Sequence, residues 1–439
     1  MFFGITAFEI RYQVKNPVFW VAVAIFFLMG FGITASENVR IGTPGAVHEN
    51  APYAIAIATA ALALFYLFVI TAFVANAIIR DETSGFAPIV RATPITRYQI
   101  VLGRFLGGLI VAWLGYLAVP VGMWAGSVMP WVDPETVGPQ VFSYYAWPFL
   151  VFAIPNIFFS SALLFALATR LRSMMAAYVG TVVLVIGYII GDGVIGQKIE
   201  YQETVARWSP LGGNALGQAT RYWTQSEMNS RLVELGGTLL FNRIFAIVLG
   251  IIFLAITLWG FSASERAPSK WRLRRLARRQ AREESVGAVA PSVGGEAVVA
   301  RDRRPSQWAQ FVARLRIEVR QVLTSPGTPI LILVGMGLSA VVLWFGLSAY
   351  GTPDHPTVAA TMTGIRGGFG ITILLIAAFY GGELVWRERD RNLSEIIDST
   401  PVESWVITVP KIVAIFVVLL LVNVAAMVTG LIYEAIGGA

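Results

Sequence analysis

The chain has 439 residues, of which 56% are hydrophobic and 13% charged, against about 25% charged residues in soluble domains. That balance, with a mean hydropathy of +0.67, excludes an ordinary soluble globular fold. Cysteine is absent, which excludes a disulfide framework and a thiolate metal site; the net charge of +7 is met by arginines on one side of a membrane, without a nucleic-acid partner.

In chain order, apolar runs near the roughly 17–25 residues that cross a bilayer as helix predict nine spans: 18–35, 53–78, 105–129, 147–169, 174–191, 244–261, 329–349, 367–386 and 412–433. Phe105–Val132 and Thr136–Thr169 contain no Asp, Glu, Lys or Arg. The first span follows Arg11 and Lys15 without a small-residue cleavage motif, so it reads as a retained helix. Basic residues collect on alternate connections: Arg11 and Lys15; Arg80, Arg91, Arg97 and Arg104; Arg170 and Arg172; the linker after Phe261; then Arg387, Arg389, Arg391 and Lys411. By the positive-inside rule those connections, and the amino terminus, face the cytoplasm. The long charged segment at about 191–242 falls outside by helix parity.

The stretch RDETSGFAPIVRATPITRYQIVLGR from Arg80 returns as RERDRNLSEIIDSTPVESWVITVPK from Arg387. Aligning Thr93-Pro94 with Thr400-Pro401 gives an offset of 307 and sets Arg80 on Arg387, Asp81 on Glu388, Phe86 on Leu393, Ile89 on Ile396, Val90 on Ile397 and Arg104 on Lys411. Upstream, FEIRYQVKNP from Phe8 matches IEVRQVLTSP from Ile317, with Glu9 on Glu318. Each unit reads as an amphipathic leading segment, two spans, a charged segment and a third span. An even number of spans separates the copies, so the repeat is parallel rather than inverted. The boundaries are 1–262 for the first unit, 263–307 for a basic, flexible linker and 308–439 for an incomplete second unit.

Burying Arg80, Asp81, Glu82, Arg91, Arg97 and Arg104 at mid-bilayer would cost about 2.5–3.5 kcal/mol for each charged side chain, so the segment belongs in the cytoplasm. Phe86, Ile89, Val90 and Thr93, like Leu393, Ile396, Ile397 and Thr400, follow i, i+3, i+4, i+7 spacing and form the stripe of a short amphipathic helix. Pro94 and Pro401 end it. Such a helix either lies on lipid or docks on a cytosolic partner; copying of the charges along with the stripe favours docking.

These residues resemble the permease subunits of ABC-2-type transporters. Arg80–Arg104 and Arg387–Lys411 match the family's coupling helices, Phe8–Pro17 and Ile317–Pro326 its leading helices. Trp208–Arg243 is similar to the loop between spans five and six of tandem permeases often fused to a zinc aminopeptidase-like domain. The resemblance implies an all-α polytopic fold, with one six-helix permease unit plus the first three helices of a second. It implies coupling helices 80–98 and 387–405 seated on cytosolic ATPase subunits, two of them, which bind ATP and magnesium. It also implies a bacterial cytoplasmic membrane location, export or extraction of a hydrophobic or amphipathic substrate, and a further permease portion that completes the second unit. The competing readings are a membrane anchor for an external peptidase-like domain and an ion-coupled carrier.

No G-x-x-x-x-G-K-[ST] and no H-E-x-x-H occurs, so phosphate cradle and zincin chemistry are missing from the chain. With four lysines and two histidines, no catalytic, cofactor or metal residues are assigned, and the chain reads as a non-enzyme. Asn76, Asn156, Glu383 and Asn423 are polar residues within spans that line a pathway or an interface; Glu383 alternatively pairs with Arg387 at i, i+4. Gly103-x-x-x-Gly107 and Gly364-x-x-x-Gly368 permit close helix approach.

Overall fold

The computed structural model describes residues 1–36, 46–83, 89–90, 93–171, 174–197, 199–260, 306–324, 327–345, 361–362, 364–370, 372–373, 376, 399 and 402–437. Every regular element among the described residues is helical. Six helices are long and apolar enough to cross a membrane: Pro17–Ala35, Pro52–Asp81, Arg97–Ser127, Phe142–Leu171, Gly237–Trp259 and Ser404–Ala435. Ala177–Asp192 and Leu331–Ala340 are shorter apolar helices. The six fall on the first, second, third, fourth, sixth and ninth predicted spans and the two shorter helices on the fifth and seventh; the eighth, 367–386, lies largely outside the described residues. An all-helical, polytopic membrane chain accounts for this pattern. It divides into two compact units, Met1–Glu265 and Arg266–Ala439.

The first unit opens with α1 (Phe2–Val14) and α2 (Pro17–Ala35). Asn16 separates them: its side-chain oxygen accepts from Val18 N at 3.0 Å, and Pro17 takes the first helical position, where a missing N–H costs nothing. α3 (Pro52–Ile70) runs through a π turn, Thr71–Ala75, into α4 (Asn76–Thr83). α5 (Arg97–Tyr116) is followed by α6 (Ala118–Ser127), then by α7 (Phe142–Pro148), a second π turn at Phe149–Ala153 and α8 (Ile154–Leu171). α9 (Met174–Tyr188) returns and ends in a third π turn at Ile189–Val194. Short helices α10 (Gln202–Trp208), α11 (Gly213–Ala219) and α12 (Gln225–Ser230) precede the long apolar α13 (Gly237–Gly260).

Helices in lipid gain nothing by hiding apolar surface from a solvent that is itself apolar, so close van der Waals packing and satisfied polar groups hold them together. The α2–α6 pair shows the first device. A Cβ on Gly122 would meet the Phe31 backbone nitrogen at 3.0 Å, and the Thr34 hydroxyl donates to Met123 O at 2.7 Å. The second device links α3 and α5 reciprocally. Tyr66 donates to Ala112 O at 2.9 Å, Tyr116 to Thr59 O at 2.5 Å, and their rings meet edge-on at 4.9 Å.

The second unit contains α14 (Gln307–Thr324), α15 (Gly327–Phe345) and α16 (Ser404–Gly437). Val322, Leu331, Phe369, Ile376, Val418 and Val422 form its core. The Thr328 hydroxyl donates to Val322 O at 2.6 Å across the α14–α15 junction.

Candidate functional site

The charged segment after α3 is built onto α1 and α5. α1 is inverted relative to a soluble amphipathic helix: Thr6, Glu9 and Gln13 are buried, while Phe3 is 81% and Phe8 58% exposed. The segment predicted at Phe8–Pro17 thus starts earlier, at Phe2, and turns its polar stripe inward. Gly103-x-x-x-Gly107 makes the contact possible, since a Cβ on Gly107 would lie 2.6 Å from Glu9 Cβ and one on Gly103 3.0 Å from Ile5 Cβ.

Against that face the π turn matters, because a π bulge shifts the carbonyl register by one residue. Gln13 Nε2 donates to Phe73 O in the turn at 3.2 Å and to Glu9 Oε1 at 2.7 Å. About two α-helical turns beyond Phe73, Arg80 grips Glu9 with both arms, Nη2 to Oε2 at 2.8 Å and Nη1 to Oε1 at 3.2 Å. Its guanidinium stacks over Tyr12 at 3.9 Å. Bidentate geometry of this kind is the strong form of the ion pair. Arg104, 7% exposed, donates to the Asp81 carboxylate and to Ala77 O. Four of the charges that the sequence repeats, Glu9, Arg80, Asp81 and Arg104, therefore close on one another in the first unit.

Past this knot the chain turns outward. Ile89 is 58% exposed and Val90 half-buried; Thr93 N and Oγ1 both donate to Val90 O, at 3.2 and 2.5 Å, stopping the helix before Pro94. A capping box then starts α5: Gln99 N donates to Thr96 Oγ1 at 3.3 Å, and Thr96 N to Gln99 Oε1 at 3.1 Å. The Thr96-x-x-Gln99 spacing is a sequence signature of a helix start that the span reading passed over. Phe86, the Glu82 side chain, and Arg387, Glu388, Leu393, Ile396, Ile397 and Pro401 lie outside the described residues, as does Glu383. In the second unit Glu318, at the register of Glu9, is likewise buried (4% exposed) and pairs with Arg314 at 3.0 Å.

The polar residues proposed to line a pathway separate. Asn76 is exposed at the start of α4, and Asn423 is exposed on α16, where its amide donates to Leu419 O of its own helix at 2.8 Å. Asn156, 2% exposed, belongs to a second buried node that sequence reasoning missed. There Arg243 of α13, 3% exposed, donates to Asn156 Oδ1 at 2.9 Å, to Asn242 Oδ1 and to Pro210 O at 3.3 Å, with the Phe152 ring 5.2 Å away. Asn156 Nδ2 donates to Leu211 O at 3.0 Å, and Asn242 Nδ2 to Ala206 O and Ser209 O, both at 2.7 Å. Gly212 closes the turn at φ +75°, and a Cβ there would overlap the guanidinium. The available signal was Asn242-Arg243 at the start of an apolar run, the kind of intramembrane polar pair that marks a built site.

Nearby, outside the spans, α12 carries a further capping box: Thr224 N donates to Glu227 Oε2 at 2.8 Å and Glu227 N to Thr224 Oγ1 at 3.3 Å. The Thr224 backbone N–H first, then its hydroxyl, hold the Glu227 carboxyl below the ordinary glutamate range.

Among the described residues no group of three or more metal-ligating side chains comes together. No family model, curated protein or solved structure matches the chain.

Proposed function

We propose that the chain is the permease subunit of an ATP-driven transporter of the ABC-2 type, in a bacterial cytoplasmic membrane with its amino terminus inside. The duplication of a charged, amphipathic cytoplasmic segment in a chain without its own phosphate-binding motif is the observation that carries this reading. The geometry supports it. A segment that transmits force needs stiff attachments to the membrane helices and an apolar contact surface left over. The Glu9–Arg80 and Asp81–Arg104 pairs supply the attachments to α1, α4 and α5, and exposed Ile89 supplies the surface.

In this mechanism two cytosolic subunits bind ATP with magnesium and change their separation on hydrolysis. Each pushes one copy of the segment, and the membrane helices attached to it rearrange to pass a hydrophobic or amphipathic substrate. Arg80, Asp81, Glu82, Phe86, Ile89, Val90 and Pro94, with Arg387, Glu388, Leu393, Ile396, Ile397 and Pro401, transmit force; none takes part in bond chemistry. Glu9 acts as a positioning residue through Arg80.

Purification from native membranes tests this. A Walker-motif ATPase is expected to co-elute with the wild-type chain and to be lost from the Ile89→Asp, Ile396→Asp double variant at unchanged membrane content. A wild-type chain that purifies without an ATPase, or a double variant that keeps it, contradicts the proposal and favours the anchor for a peptidase-like domain.

A further inference from the structure

A cavity of about 520 Å³ opens between α8, α9 and α10, within the roughly 300–1,000 Å³ range of small-molecule sites. Leu163 and Leu167 form one wall, Val183 and Leu184 another, and Val205 and Trp208 a third. Glycines make the room: a Cβ on Gly187 or Gly191, both in the lining, would meet nothing within 4 Å. One end of this apolar space is polar, where Asp192 and Ser209 join the lining.

Asp192 is 6% exposed, and its carboxyl is only partly satisfied. Oδ2 accepts from Asn214 N at 3.4 Å, and the Ser209 hydroxyl and Asn214 amide also lie in hydrogen-bonding reach of the carboxyl, whereas Oδ1 itself is buried with no hydrogen-bond partner among the described residues. A buried carboxyl oxygen without a donor is destabilising, and nearly all such groups in folded chains find partners. Arg243 is a cation in electrostatic reach, yet its guanidinium is spent on Asn156, Asn242 and Pro210 and takes no part in the lining. The donor missing at Oδ1 is one that a ligand can bring.

We infer that this cavity binds a single-chain amphiphile with an amine head: the apolar chain lies along the leucine, valine and glycine walls, and the ammonium donates to Asp192 Oδ1. Trp208, 54% exposed and held edge-on by Phe241 and Phe245 at 5.4 and 5.1 Å, flanks the opening. This occupancy is independent of an ATPase partner and is tested without one.

The full chain in phosphatidylcholine nanodiscs is irradiated with dodecylamine carrying a tail diazirine, and labelled peptides are mapped. Labelling is expected on 180–188 and 204–211, with dodecylamine competing and dodecanol at equal concentration failing to compete. Gly187→Leu, at a lining position where a Cβ meets nothing within 4 Å, is expected to lower labelling at least ten-fold; Asp192→Asn is expected to raise the dodecylamine concentration for half-competition about ten-fold. Undiminished labelling of Gly187→Leu overturns the site, whether or not Asp192→Asn folds. Equal competition by amine and alcohol overturns the role of the carboxyl. Competition by phosphatidylethanolamine added to the discs, at levels matching dodecylamine, overturns the single-chain occupant in favour of a membrane lipid.

Discussion

Two buried arginine sites in the first unit solve the same problem differently. Arg80 and Arg104 meet carboxylates, Glu9 and Asp81. Arg243, more deeply buried, is surrounded by amide and carbonyl oxygens from Asn156, Asn242 and Pro210. In the first site charge is cancelled by charge, so the two partners form a removable pair. In the second, dipoles supplied by several elements make the direct contacts to one charge, with the Asp192 carboxyl in electrostatic reach beyond them, and carbonyls of the 206–210 segment accept from Asn242 and Arg243. The first arrangement suits a joint that carries load between helices; the second suits a fixed corner.

The largest expected effect comes from splitting the joint. Glu9→Met leaves Arg80 and Gln13 facing an apolar group, and breaking a buried pair in this way costs about 3–5 kcal/mol. Thermal unfolding of purified chain should register it, and adding Arg80→Met to the same chain should restore most of the loss, because removing both charges also removes their desolvation cost. Failure of the second substitution to rescue would show that the pair is not the unit of interaction.

Arg243→Met is expected to cost somewhat less. Oxygens of Asn156, Asn242 and Pro210 each lose a donor at about 1–3 kcal/mol when unsatisfied, offset in part by relaxation of the turn. No single companion substitution should rescue it, since three separate groups are left unpaired. Rescue by Asn156→Leu alone would erase the distinction drawn between the two sites.

Ile89→Asp should leave thermal stability within about 0.5 kcal/mol of wild type, as exposed substitutions do, while weakening retention of the proposed ATPase partner. A clear loss of stability would instead place Ile89 in the packing of the unit.

The smallest effect concerns Glu227. Its folded-state pKa is depressed below the unfolded value, so its contribution to α12 is present above the ordinary glutamate pKa, about 4.3, and is lost as pH falls through the folded value. Hydrogen exchange at residues 225–230, corrected for intrinsic rates, should show protection falling between pH 6 and pH 3 in wild type. The fall should be smaller in Thr224→Ala, which already lacks the cap; identical profiles would deny the cap its role.

The six long apolar helices were legible because length and apolarity are what the bilayer demands, and the approach of Gly103 and Gly107 to a neighbouring helix followed from their spacing. The burial of Glu9 and Gln13 was not legible. An amphipathic stripe is read with its apolar side inward, and that habit reverses for a helix such as α1, whose polar stripe has partners in the chain and whose Phe3 and Phe8 face outward. Arg243 escaped notice for a related reason: an arginine at the head of an apolar run reads as an interfacial anchor, and two of its three partners, Pro210 and Asn156, are 33 and 87 residues away in sequence. The short amphipathic helix is represented in the described residues by Ile89 and Val90, and its copy around Ile396 lies outside them.

The chain's lack of cysteine allows the central claim to be tested at one atom. With Ile89→Cys as the only thiol, a short bifunctional cross-linker applied to native membranes is expected to join the chain to a subunit carrying a Walker A motif, with the yield changing between nucleotide-free and ATP-bound conditions. A thiol that cross-links to no ATPase, and that is labelled freely by water-soluble maleimide in the assembled complex, would contradict the account.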